Sequence, residues 1–174
     1  AAVVFDDVDL PATVESLAQA ITFHAGQVCC DATRWLVHGS IYDEFVAAMT
    51  RRLEMVVVGY QLDSETQMGP VISEKQRKRV LGYLNRGRDE GAEVVLEGGP
   101  CEVPGHQGYY VKPALLAGAL DNVAAREEIF GPVAYVASFS DEAEAIAMAN
   151  QTDYGLANSV WTADRARAER VADA

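Results

Sequence analysis

Val133-Ala134-Tyr135-Val136-Ala137-Ser138-Phe139 is an apolar run of strand length, broken only by Ser138 and followed by Ser140-Asp141. A strand with one wet face alternates apolar and polar residues, and this run does not. It reads as a strand buried on both faces, the pattern of a parallel sheet covered by helices on either side. Downstream, Asp141 is placed to cap a helix over Glu142–Asn150, Ala157–Trp161 is a further strand, and Asp164 opens a helix toward Ala174.

Upstream the same alternation holds. Ala2–Phe5 is a short strand, and a helix opens near Asp9 or Pro11–Thr13, its apolar Val14, Leu17 and Ile21 at helical spacing, with Gly26 as its terminator. Arg34–His38 is a strand. Ser40 is placed to cap a helix over Ile41–Val57, with Tyr42, Phe45, Val46, Met49 and Leu53 on one stripe and Gly59 closing it. Ser73 caps a long charged helix to Glu90 that Gly91 ends, Glu93–Leu96 is a strand, Gly98–Gly108 is a loop, and Tyr109–Leu116 is extended around Pro113. Strands alternating with helices predict an α/β fold of three layers, a mostly parallel twisted sheet with helices on both faces. No internal repeat divides it, and one domain suits the length of 174 residues.

Acidic side chains number 26 against 14 basic ones, for a net charge of −12. That balance argues against a nucleic acid or an anionic membrane surface as partner, since both are negatively charged. No apolar run approaches the ~20 residues of a membrane helix. The opening Ala1-Ala2-Val3-Val4-Phe5 has no basic leader and reads as a strand already under way, and the last helix stops without a cap, so a piece of a longer protein is expected. Three cysteines, two of them adjacent, make a poor disulfide framework and point to a reducing cytoplasm. His24, His38 and His106 are scattered, so no metal site is expected.

The chemistry concentrates in two places. Phe23-His24-Ala25-Gly26-Gln27-Val28-Cys29-Cys30 sets a cysteine just past a Gly-Gln turn at the end of a helix. A thiolate there is a strong nucleophile for a carbonyl carbon, and a tight turn can offer N–H groups to the oxyanion that forms. About a hundred residues later comes Glu127-Glu128-Ile129-Phe130-Gly131-Pro132-Val133. Its carboxylates can accept paired hydroxyl donors, and alternate residues of an extended segment point to one side.

Together these motifs resemble the catalytic half of an aldehyde dehydrogenase. Met68-Gly69-Pro70-Val71-Ile72, Gly108-Tyr109-Tyr110 with Pro113, and Asn150-Gln151-Thr152-Asp153-Tyr154-Gly155-Leu156-Ala157 extend the resemblance over essentially residues 1–174. It implies a catalytic-domain fragment of an enzyme that oxidises a small-molecule aldehyde to a carboxylic acid with NAD or NADP. Cys29 would be the nucleophile, forming a thiohemiacetal and then a thioester. Glu128 would bind the ribose beside the nicotinamide and Phe130 would pack near it. The general base, the oxyanion asparagine, the cofactor-binding domain and the segment for homo-oligomer assembly would lie outside the chain.

An alternative is a non-catalytic module on the same scaffold, used for assembly. Three departures from the family pattern bear on that choice. His24 stands where asparagine is usual, Thr22 replaces a bulky apolar residue, and Asp31 places a carboxylate two residues past the nucleophile. Such a charge opposes thiolate formation unless it turns to solvent or to Arg34. Cys30 is expected to pack against the sheet, Cys101 to be incidental, and Tyr154-Gly155-Leu156 to be a turn rather than part of a site.

Overall fold

A computed structural model describes residues 1–174. Eight strands and six helices follow one another along it: β1 Ala2–Val4, α1 Leu10–Thr22, β2 Arg34–His38, α2 Tyr42–Glu54, α3 Glu74–Asp89, β3 Glu93–Leu96, β4 Gly99–Pro100, β5 Val111–Lys112, β6 Ala114–Ala117, α4 Val123–Arg126, β7 Val133–Phe139, α5 Glu142–Ala149, β8 Ser159–Trp161 and α6 Arg165–Asp173. The main sheet has the order β3-β6-β7-β2-β1-β8. Every pairing in it is parallel except β3 with β6. β4 and β5 form a separate antiparallel ribbon.

Strand side chains alternate between faces, and the core divides accordingly. Ala2 and Val4 of β1, Trp35 and Val37 of β2, and Ala134 and Val136 of β7 pack with Val14, Leu17 and Ile21 of α1 and Phe45, Met49 and Leu53 of α2. Val3, Leu36, Ala137 and Phe139 face the opposite way, onto Ala145 of α5 and Val171 of α6. Val80 and Leu84 of α3 cover the remaining part through Ala114, Leu116, Val133 and Tyr135. Helices on both faces of a mostly parallel sheet are what the apolar run of β7 requires. No helix is long and apolar enough to cross a membrane.

Four helices begin as their cap residues predict. The side chains of Asp9, Ser73, Asp141 and Asp164 accept from Ala12 N, Gln76 N, Glu144 N and Ala166 N at 2.9–3.1 Å. Ser40 does not cap α2. Its N–H and hydroxyl both meet His38 Nδ1 in a short turn, and acidic Asp43 and Glu44 in the first turn of α2 favour its start instead.

α2 also ends before Val57. The β-branched run Val56-Val57-Val58 is a weak helix former, and the Val57 carbonyl accepts from Gln67 N and Met68 N, its own N–H donates to Gln67 Oε1, and Val58 bridges Met68. Pro113, which has no N–H, divides the expected extended segment into β5 and β6. The short helix α4, capped by Asn122, was not expected from the sequence.

Candidate active site

Helix α1 stops at Thr22, whose buried hydroxyl returns to the Ala18 carbonyl at 2.8 Å. That bond satisfies a polar side chain at a position suited to an apolar one. The chain then reverses hand. His24, Ala25 and Gly26 have φ of 48°, 55° and 67°. Left-handed backbone costs a non-glycine residue roughly 1–2 kcal/mol, and asparagine tolerates it better than most. This explains physically why an asparagine suits position 24. The His24 ring lies against Phe23, with centroids 4.2 Å apart, and its carbonyl accepts from Gln27 Nε2 at 2.9 Å.

Gly26 does more than end a helix. A Cβ on it would sit 2.2 Å from the Gly131 oxygen and 2.7 Å from Pro132 N. The two motifs, about a hundred residues apart in sequence, therefore touch backbone to backbone. Behind them, a Cβ on Gly131 would meet Val80 Cγ2 of α3 at 2.3 Å. Gln27 braces the same turn, its Oε1 accepting from Ile72 N at 2.9 Å.

Past Gln27, the Asp31 N–H donates to the Val28 carbonyl at 3.1 Å, closing a turn with Cys29 and Cys30 at its two central positions. Both cysteines are exposed. Cys30 thus does not pack against the sheet as expected: a central turn position projects its side chain outward. The N–H groups of Cys29 and Cys30 make no hydrogen bond within the chain. Both are free to meet a negative oxygen.

Cys29 and Glu128 line one cavity of about 400 Å³, together with Asp31, Arg34, Arg126 and Asn158. The Glu128 carboxylate is exposed and has no ion-pair or hydrogen-bond partner in the chain. Phe130 goes elsewhere. It lines an open groove of about 910 Å³ with His24, Gln27 and Tyr109. The expected alternation of Glu128 and Phe130 onto one side fails because Phe130 has φ of 61°, which breaks the extended geometry.

Asp31 turns neither to solvent nor to Arg34. Its Oδ2 is buried without a partner, and burial pushes the carboxyl up to about 6, against a smaller opposing effect of His24. Below about pH 6 that carboxyl is neutral and sets no charge against a nearby thiolate; above it the carboxylate opposes thiolate formation. Arg34 instead donates to the Met148 and Ala149 carbonyls at the end of α5, at 2.8 and 3.4 Å.

Two further residues border the cavity, one of them, Tyr154, against the expectation of a turn outside any site. Arg126 comes from the unexpected helix α4, and Tyr154 from the segment read as a plain turn. The Cys101 thiol is pushed up by burial, and it borders neither cavity. No group of three or more His, Cys, Asp or Glu side chains converges as a metal site would require.

The sequence model of the aldehyde dehydrogenase family matches residues 1–174. The chain belongs to that family. It is 43% identical over 172 residues to a betaine aldehyde dehydrogenase of Sinorhizobium fredii, covering 98% of this chain and 35% of the relative. Among solved structures it is similar to a point mutant of betaine aldehyde dehydrogenase from Staphylococcus aureus in complex with NAD+ and with a BME-modified cysteine. That match has a TM-score of 0.92 at 36% identity, over 98% of this chain and 35% of that one. HpcC from Thermus thermophilus matches with a TM-score of 0.92 at 39% identity, over 98% of this chain and 34% of that one. The chain thus spans about a third of the length of these relatives.

Proposed function

We propose that residues 1–174 form the nucleophile-bearing, catalytic-domain part of an NAD- or NADP-dependent aldehyde dehydrogenase. The observation that carries this reading is the shared cavity: it is lined by an exposed cysteine on a turn with two free N–H groups and by a carboxylate with no partner of its own.

Cys29 as thiolate adds to the aldehyde carbon, and the carbonyl oxygen becomes an alkoxide that the Cys29 and Cys30 N–H groups can receive. A bound nicotinamide dinucleotide would supply the hydride acceptor that turns this thiohemiacetal into a thioester. Water then releases the carboxylic acid and returns the thiol. Glu128 fits the dinucleotide's ribose, because its free carboxylate can take two hydroxyl donors at once. Phe130, two positions on, lines the separate groove with His24 and Gln27, so contact with the nicotinamide end would need that ring to reach across from there.

The NAD+ complex of the staphylococcal relative makes NAD the first cofactor to test, and the names of the relatives make betaine aldehyde the first substrate. A cytoplasmic homo-oligomer is the assembly proposed. The test uses the full-length polypeptide. Cys29→Ala is expected to abolish aldehyde-dependent NADH formation while leaving NAD+ binding intact, and undiminished turnover in that variant would refute the assignment.

A further inference from the structure

Segment 127–132 joins α4 to β7 without belonging to a helix or strand, and three successive carbonyl groups in it find no backbone partner. Two side chains of α3 take them up. Gln76 Nε2 donates to the Phe130 carbonyl at 2.6 Å and to the Ile129 carbonyl at 3.3 Å. Arg79 Nε donates to the Ile129 carbonyl at 3.3 Å, and its Nη2 to the Glu128 carbonyl. The two residues stand three apart, on one face of the helix.

Arg79 is itself held. Its guanidinium lies 5.0 Å from the Tyr83 ring centre, and that ring also meets the Arg86 guanidinium at 5.5 Å. The planar fork reaches two neighbouring carbonyls at once, which a lysine ammonium on a flexible stem does less well. Arg79 donates to the Glu128 carbonyl and not to its carboxylate, so the acid stays free toward the cavity.

The clamp sits where the backbone needs holding. Phe130 occupies a left-handed conformation unfavourable to a bulky residue, and that conformation sends Glu128 and Phe130 into different cavities. Carbonyls pinned at Glu128, Ile129 and Phe130 leave the segment little freedom to relax into an extended form, in which both side chains would swing to one side.

We propose that Gln76 and Arg79 are positioning residues of the cofactor site. They set the aim of Glu128 and Phe130 through the backbone and contribute no group to the reacting atoms. The inference rests on the cofactor role proposed for Glu128.

The test compares Arg79→Met, Arg79→Lys, Gln76→Leu and Glu128→Gln in the full-length polypeptide. NAD+ affinity, the aldehyde KM and the alkylation rate of Cys29 are the readouts. Arg79→Met and Gln76→Leu are each expected to weaken NAD+ binding roughly tenfold or more, since small misplacements of a binding group are costly. Aldehyde KM and alkylation should stay unchanged, Arg79→Lys should recover part of the loss, and Arg79→Met should add little to Glu128→Gln.

Loss of NAD+ affinity in Glu128→Gln but not in Arg79→Met or Gln76→Leu would overturn the positioning role while leaving the function standing. Full NAD+ affinity in Glu128→Gln would refute the Glu128 assignment and this inference with it. If Arg79→Met does not fold, Arg79→Lys and Gln76→Leu carry the same comparison. A uniform fall in all three readouts would mark the clamp as merely structural and overturn the proposal.

Discussion

Replacing Gly26 with alanine tests the contact that joins the two motifs. Two penalties add. At φ of 67° an alanine pays roughly 1–2 kcal/mol for left-handed backbone. Its Cβ would also lie 2.2 Å from the Gly131 oxygen and 2.3 Å from the Gly131 carbon, backbone atoms that cannot rotate away. Forcing a methyl into such a site typically costs ~1–3 kcal/mol. The expected loss is therefore about 2–5 kcal/mol, concentrated where the motifs meet.

Gly82, in the middle of α3, is the internal control. It has no atom within 4 Å of its Cβ position, so Gly82→Ala should gain roughly 0.5–1 kcal/mol from helix propensity. Amide hydrogen exchange over residues 23–31 and 128–133 of the full-length polypeptide reads the local opening free energy. Alkylation of Cys29 reads whether the turn still presents its sulfur. Gly26→Ala should accelerate exchange in both segments together, although they are distant in the chain. If exchange rises in residues 23–31 alone, or Gly26→Ala matches Gly82→Ala, the two motifs do not support each other as described.

His24→Asn should stabilise the 23–26 turn by a few tenths of a kcal/mol to about 1 kcal/mol, since asparagine accepts φ of 48° more readily, and a slower exchange of that segment checks it. Asp31→Asn should change the pH dependence of stability. Burial raises the carboxyl from 3.8 to about 6, so the folded protein binds this proton more tightly than the unfolded chain. The resulting stabilisation is complete at pH below the unfolded value and is lost as pH rises through 6. Denaturation midpoints of the native protein should therefore fall between pH 4 and 6 in a way that the asparagine variant does not share. The same variant should be alkylated faster at Cys29 above pH 6, where the native carboxylate is ionised.

Much of the scaffold was legible without coordinates. The short apolar strand runs, the helical stripe of Phe45, Met49 and Leu53, and the oxygen-bearing caps Asp9, Ser73, Asp141 and Asp164 are short-range signals carried within a few residues. The apolar run at Val133–Phe139, broken only by Ser138, determined that the sheet is covered on both sides, and hence that it is mostly parallel. The Gly-Gln turn before Cys29 and the paired glutamates located the chemistry in sequence.

The tertiary structure alone decided how those pieces face one another. Nothing local in residues 23–30 announces two non-glycine residues in left-handed backbone, or a glycine pressed on Gly131. Nothing local in residues 127–131 shows that Phe130 turns away from Glu128, or that α3 holds their carbonyls. The buried oxygen of Asp31 and the exposure of Cys30 likewise depend on what surrounds them. Hydrophobic period and cap chemistry are properties of neighbours along the chain. Positive φ values, close glycine contacts and orphaned carbonyls arise where packing between distant segments overrides local preference.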